Sequence, residues 1–147
     1  MELLFGTNVR EYGQHVGRLA GFELDPASYQ VRKVIFSSDG ELGSHATMRP
    51  FESVLVEPGD IEIRPYTPGD QPRQAGAVLL GHTARIFRNR RDIGRLSGLD
   101  LELASGNLEG VIGRRSWWTK RFRVAASGLD LSVPGEVRAP ATQPRAA

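Results

Sequence analysis

The chain has 147 residues, of which 39% are hydrophobic and 24% charged, with a formal net charge of +2 and no cysteine. This composition is typical of a globular protein, and the lack of thiols excludes a disulfide framework, a thiolate metal site and a cysteine nucleophile. No stretch approaches the ~20 apolar residues of a membrane-spanning helix, and the N-terminus lacks the basic start and apolar run of a signal peptide. The sequence therefore predicts a soluble, cytoplasmic protein without a transmembrane segment.

The charge is unevenly divided along the chain. Residues 1–73 carry 7 basic and 11 acidic side chains, a net −4, whereas the remaining residues carry a net +6. Such asymmetry is compatible with self-association through oppositely charged faces or with an acidic partner. A homodimer is therefore one of the expected assemblies.

Residues 5–36 predict three short strands joined by tight turns. Tyr12-Gly13 is a turn sequence because glycine adopts positive φ at little cost. Asp25-Pro26 is a second turn, since proline presets φ and aspartate accepts hydrogen bonds from nearby backbone N–H groups. The segment Gln30 to Phe36, which follows, is rich in β-branched residues and predicts the third strand.

The middle strand of these three, His15 to Leu24, contains two glycines. Gly17 and Gly21 inside a strand predict bulges or sharp coiling of the kind that a small β-barrel needs. One face of the strand is expected to be buried, and the residues in phase with it are Val16, Phe22 and Leu24. Leu19 is out of phase with them.

Further short strands are predicted along the rest of the first half. They are Ala46 to Met48, Ser53 to Val56 and Asp60 to Arg64, with another at Ala77 to Leu80. Residues 67–76 are the best linker candidate, because they lie in a proline-rich stretch with almost no apolar side chain.

The second half repeats the first at an offset of 77 residues. The segment from Val16 to Gly21 (VGRLAG) recurs as Ile93 to Gly98 (IGRLSG), and apolar positions in the following strand continue the same register. Two similar β-modules are therefore predicted, residues 1–66 and a degenerate copy at 77–134. Residues 135–147 are rich in proline and alanine and predict a disordered tail.

Nowhere does the chain show the 3.6-residue periodicity of an amphipathic helix. Apolar residues recur with a spacing closer to two, and turn residues interrupt them every ~8–12 positions. The predicted fold class is all-β, with two small β-barrels in tandem.

The first module resembles a PRC-barrel domain, the small β-barrel shared by the cytoplasmic part of the photosynthetic reaction-centre H subunit and the C-terminal domain of the ribosome-maturation factor RimM. The residues that carry the resemblance are Gly6, Val9, Val16-Gly17-Arg18-Leu19, Asp25-Pro26, Val31 to Phe36 and Pro50 to Val54. It covers roughly residues 4–64, and a weaker version covers 79–133, where Glu102-Leu103 replaces the expected Asp-Pro. The resemblance implies an adaptor or assembly module and no active site, although fold alone does not establish function.

Catalytic and metal-binding signatures are not evident in the sequence. His15, His45 and His82 lack metal-site spacing, and a metal or acid/base role would require convergence with carboxylates, such as Glu41 near His45. An enzyme would need a pocket that brings His45 or His82 against a carboxylate. The serines lack a nucleophile-elbow motif, and the glycines form no phosphate-binding loop. We therefore expect no enzymatic activity, no cofactor and no metal.

One basic and aromatic cluster stands out in the second module. Its core comprises Arg114, Arg115, Trp117, Trp118, Lys120, Arg121 and Arg123, preceded by arginines at 85, 88, 90, 91 and 95. Arginine and tryptophan are enriched at protein interfaces, so a protein-binding surface is one interpretation. Arginines and aromatic rings also bind phosphates and stack on bases, which makes an RNA- or ribosome-associated protein the alternative. An anionic membrane surface is a further option. In the last interpretation the cluster has only a structural role, and one Trp lies in the core.

Overall fold

The computed structural model describes residues 1–43, 45–65 and 76–141, and the chain there is almost entirely β-structure. The strands, in chain order, are β1 Glu2–Leu4, β2 Asn8–Glu11, β3 Gln14–Asp25, β4 Gln30–Ser37, β5 Thr47–Pro50, β6 Val54–Glu57, β7 Asp60–Ile63, β8 Val78–Gly81, β9 Arg85–Arg88, β10 Arg91–Leu101, β11 Leu108–Arg114, β12 Phe122–Ala125 and β13 Glu136–Ala139. The only helix in these ranges is a 3₁₀ turn at Phe51–Ser53. No helix among the described residues has the length and apolar character needed to span a bilayer. The all-β prediction is confirmed.

The strands form two sheets with matching strand order. The first sheet runs β5-β4-β3-β2-β7-β6, and the second runs β12-β11-β10-β9-β13. In both sheets the long strand, β3 or β10, is antiparallel to its neighbours. The pairs β2–β7 and β9–β13 are parallel. Each strand of the second sheet therefore has a counterpart in the first.

Neither sheet closes into a barrel within the described ranges, so the predicted pair of closed β-barrels is not what forms. The edge strands, β5 and β6 in the first sheet and β12 and β13 in the second, each have four residues and do not pair with one another. Strand β5 ends at Pro50, which has no N–H to donate to a further ladder. Both sheets are therefore open.

The long strands β3 and β10 are bulged at matching glycines. Register shifts occur before Gly17 and Gly21 in β3, and before Gly94 and Gly98 in β10. The hairpin turns that lead into these strands also match, with positive φ at both central residues, which are Tyr12 and Gly13 in one and Asn89 and Arg90 in the other. Paired positive φ values are those of a type I′ turn, whose twist suits a two-residue hairpin. The predicted bulges at the glycines of β3 are confirmed.

The first strand of each half pairs with the long strand of the other half. Leu3 of β1 lies opposite Leu99 of β10, and Leu80 of β8 lies opposite Phe22 of β3. These two pairings are equivalent at the 77-residue offset. The segments predicted as separate modules are therefore interleaved in space.

A two-fold relation between the halves is visible where they meet. Gln30 and Asn107, which are 77 residues apart, form an antiparallel bridge with each other. On either side of it, Val31 N donates to Gly106 O at 2.8 Å, and Leu108 N donates to Tyr29 O at 3.0 Å. The bridge thus lies at the point about which one half maps onto the other.

Apolar side chains from both halves form one buried cluster. Its fully buried members include Phe22, Leu24, Ile61, Leu80, Ile86, Leu96 and Leu99. Phe22 contacts the ring of Phe5 at a centroid distance of 5.8 Å. Because the cluster draws on both sheets, the halves stabilise one another.

The second half extends further toward the C-terminus than the sequence predicted. Glu136–Ala139 forms strand β13 instead of belonging to a disordered tail, because Val137 is fully buried in the core cluster. The remaining tail residues 142–147 and linker residues 67–75 lie outside the described residues.

Candidate functional site

The loop between β11 and β12 contains a tight turn at residues 116–119. Thr119 N donates to Ser116 O at 3.1 Å, and Ser116 N donates to Thr119 Oγ1 at 3.0 Å. Because Trp117 and Trp118 occupy the two central positions, their side chains project from the surface, where they are 82% and 71% exposed. We call residues 116–119 the Trp turn.

The two indole rings contact each other and leave most of their surface in water. They are edge-to-face, with centroids 5.5 Å apart. The interpretation that placed one Trp in the core is therefore wrong. Burying two indoles against a partner would remove a large apolar area from water while leaving each N–H able to donate.

A groove of about 620 Å³ runs beside the Trp turn. Its apolar lining comes from Leu4 at the end of β1, from Phe5, which follows it, and from Leu96 of β10. The rest of its lining is polar or aromatic and comprises Arg85, Arg95, Arg114, Arg115, Arg121, His82, Ser97, Ser116 and Trp117. We call this the arginine groove. Because β1 pairs with β10, residues from both halves meet in it.

Most of the arginines in the groove are not neutralised. Only Arg85 has a carboxylate partner there, with Asp92 at 2.7 Å; no carboxylate oxygen of the described residues lies within 4 Å of the other four guanidinium groups. Arg114 donates to Trp117 O at 3.3 Å, and its Nε is buried without a hydrogen-bond partner among the same residues. The groove therefore carries excess positive charge.

The structure divides the predicted site residues into two groups. Arg114, Arg115, Trp117 and Arg121 line the arginine groove, and Trp118 is beside it in the Trp turn. Lys120 and Arg123 line an adjacent depression of about 410 Å³, together with Arg114 and Arg121.

Arg123 differs from the other cations because its side chain is held within the fold. Its Nε donates to Asp100 Oδ2 at 2.9 Å, and its Nη2 donates to Glu109 O at 3.1 Å. These contacts join β12, β10 and β11, which favours a structural role for Arg123 over a binding one.

Sequence reasoning missed the groove's apolar lining. Leu4 and Phe5 are about ninety residues from Arg95 in the chain, and only the exchange of β1 brings them together. Arg85 and Arg95, by contrast, belong to the broader arginine cluster that was evident in the sequence, and the structure places them opposite one another on β9 and β10.

The histidines are arranged differently from the arginines. His82 Nε2 hydrogen-bonds to Glu41 Oε2, which joins the loop after β4 to the end of β8. His15 and His45 are exposed. Among the described residues, no group of three or more His, Asp or Glu side chains is placed to hold a metal ion. The His82–Glu41 contact is a surface pair that fixes the loop.

Asp100 provides a test of the contacts around Arg123. Hydrogen bonds from the amino terminus of Met1 and from Arg123 hold the pKa of the Asp100 carboxyl below its ordinary value of 3.8, against the opposing effect of burial. A carboxyl with a depressed folded-state pKa stabilises the fold at pH values above its ordinary pKa, which it has in the unfolded chain, and this contribution is lost as the pH falls through the folded-state pKa. We therefore expect Asp100→Asn to destabilise the protein at neutral pH and to have progressively less effect below about pH 4. Urea unfolding of the wild type and of Asp100→Asn at several pH values measures this effect. A difference in the free energy of unfolding that does not change with pH would contradict the prediction.

No model of a known protein family matches this chain, and no curated protein has a significantly similar sequence.

Proposed function

We propose that the protein is a non-enzymatic, cytoplasmic adaptor that binds a protein partner through the Trp turn and the cations around it. The observation that carries the proposal is the exposure of two adjacent indole rings, Trp117 at 82% and Trp118 at 71%. Large exposed apolar side chains at one site mark interaction surfaces, and tryptophan with arginine dominates the binding energy of many interfaces.

The construction of the Trp turn supports this proposal. The hydrogen bonds between Ser116 and Thr119 hold the backbone in one conformation, so the rings are presented before a partner arrives. A site that is already ordered loses less conformational entropy on binding. The resemblance to PRC-barrel domains, and membership of that family, are part of the same proposal, because such domains are implied to act as assembly modules.

An RNA- or ribosome-associated function is the second candidate. The observation that favours it is the set of guanidinium groups at Arg95, Arg115 and Arg121 without neighbouring carboxylates in the described ranges. Free cations beside aromatic rings can bind phosphates and stack on bases. The two candidates predict different bound macromolecules and can be separated directly.

The test is photo-crosslinking in cells of the host. Trp118 is replaced by p-benzoyl-phenylalanine, and crosslinked material is treated with nuclease before mass spectrometry. We expect a discrete, nuclease-resistant crosslink to one protein. Purified partner should then bind the double variant Trp117→Ala/Trp118→Ala at least ~30-fold more weakly than the wild type, because each ring acts as a hot spot.

The matched control removes an exposed aromatic side chain elsewhere. Tyr12 is 74% exposed in the first hairpin turn and has a φ of 53°, which asparagine tolerates. Tyr12→Asn should therefore leave the partner's affinity unchanged. A crosslink to RNA would support the second candidate, whereas a crosslink to another copy of this chain would show self-association.

A further inference from the structure

We infer that the arginine groove binds an acidic, extended segment of a partner protein. This inference rests on the proposed function and specifies the chemistry of the partner. It follows from three observations, which are a row of arginines across the sheet, the contents of the equivalent site in the first half, and the apolar lining of the groove.

Three arginines lie in a row across neighbouring strands of the second sheet. Arg95 of β10 is directly opposite Arg85 of β9 on one side and Arg114 of β11 on the other. Like charges directly opposite one another in a sheet are destabilising. Asp92 pairs with Arg85 alone, so a bound anion would relieve the repulsion that remains.

The corresponding row in the first sheet has one arginine. Arg18, the counterpart of Arg95, is opposite Asn8 and Ser37. The row of three is therefore a property of the second half alone and not a requirement of the shared fold.

In the first half the equivalent site is covered by the protein's own acidic loop, residues 38–43. Leu42 lies over two glycines, since a Cβ on Gly81 would be 2.4 Å from Leu42 Cδ1 and one on Gly21 would be 2.9 Å from Leu42 Cδ2. Glu41 hydrogen-bonds to His82, and Asp39 Oδ1 accepts from Glu41 N at 3.0 Å. A short acidic segment thus already occupies this site once in the molecule.

The second half has no such cover among the described residues, because its loop is built differently. The positions equivalent to Asp39, Gly40 and Glu41 hold Ser116, Trp117 and Trp118, and the Trp turn projects outward. The Leu4 side chain lies over Gly98, as Leu42 lies over Gly21. What remains open is a groove with an apolar floor and cationic walls.

The lining favours a peptide over a nucleic acid. Leu4 and Phe5, which are partly exposed, offer apolar contacts that suit aliphatic or aromatic side chains and not phosphates. The two Trp rings contact each other edge-to-face instead of forming a parallel platform for successive bases. An acidic segment carrying apolar side chains complements both the floor and the walls.

The experiment uses a peptide that repeats Asp39 to Leu42, DGELDGEL-NH₂ with fluorescein on its N-terminal amine, titrated with the full chain in a fluorescence anisotropy assay. We expect saturable binding that weakens with added salt. A peptide with lysine in place of each acidic residue should not bind. The double variant Arg95→Glu/Arg121→Glu should bind the acidic peptide at least ~10-fold more weakly, because repulsion replaces attraction at two groove positions.

The matched control is Arg18→Glu, which alters the charge at the two-fold equivalent of Arg95, where the first half's own loop covers the site. Its affinity for the peptide should equal that of the wild type. Circular dichroism and urea unfolding establish that the groove variant is folded.

Other results would separate a failure of this inference from a failure of the proposed function. The inference is overturned if the acidic peptide does not bind, or if Arg18→Glu weakens peptide binding as much as the groove variant does. It is also overturned if the protein binds single-stranded RNA or phosphatidylserine vesicles in preference to the peptide. If a protein crosslink to the Trp turn is still found in that case, the proposed function stands without this groove. If that crosslink is absent as well, both fail.

Discussion

Phe22→Ala is expected to lower the free energy of unfolding by about 3–5 kcal/mol, the largest effect of any substitution considered. Phe22 is fully buried in the C-terminal part of β3, opposite Leu80 of β8, and its ring contacts Phe5. Truncation removes the ring from a site built by both halves, so neither half can close the resulting cavity alone. Urea unfolding followed by circular dichroism and by the amide NMR signals of the two sheets measures the loss.

The two signals also test whether the halves unfold together. The NMR signals report on each sheet separately, whereas circular dichroism reports on both sheets together. The interleaved strands predict coincident transitions that shift together in Phe22→Ala. Leu55→Ala, at a position 40% exposed on β6, should change stability by no more than about 0.5 kcal/mol. Separate transitions for the two signals would contradict the shared core.

Gly98→Ala is expected to displace β1 from the second sheet and to cost about 1–3 kcal/mol, the usual range for overpacking. A Cβ at this position would lie 2.3 Å from Leu3 O and 2.9 Å from Leu4 Cα. Both are backbone atoms, so the strands must move apart and the ladder between β1 and β10 must weaken. The variant thus tests the exchange of first strands directly.

Hydrogen exchange is the appropriate measurement for this variant. The amides of β1 and of its neighbours on β10 should lose protection, while those of β7 should change little. Gly43→Ala provides the control, because no atom of the described residues beyond its chain neighbours lies within 4 Å of the added methyl group. Unchanged protection of β1 in Gly98→Ala, with stability retained, would argue that this pairing is not stable in solution.

Much of the first sheet was within reach of sequence reasoning, because turn residues and β-branched runs are local signals. The predicted strand His15 to Leu24 matches β3, Gln14–Asp25, but the choice of its buried face was partly wrong. Val16 is 37% exposed and Leu19 is fully buried. The bulge between Leu19 and Gly21 shifts the alternation by one residue, and a period of two counted straight through the strand cannot detect it.

The candidate site was predictable only in part. The cluster of arginine and tryptophan was evident in the sequence, but adjacent strand residues point to opposite faces, which suggested a buried Trp. A tight turn between Ser116 and Thr119 replaces the strand there, so both rings reach solvent. The exchange of β1 and β8 is a long-range pairing between similar partners, and local pattern cannot choose between a pairing within one half and a pairing across halves.

The bridge between Gln30 and Asn107 has a consequence for stoichiometry. Two identical chains related by such an axis would present the same surface twice, since every side chain would have a copy. Here both halves belong to one polypeptide, so equivalent positions can hold different residues: Ser37 in the first half is buried, whereas Arg114 in the second lines the arginine groove. A molecule with the internal symmetry of a dimer thereby offers its Trp turn once, so the partner proposed for that turn is expected to bind once per chain.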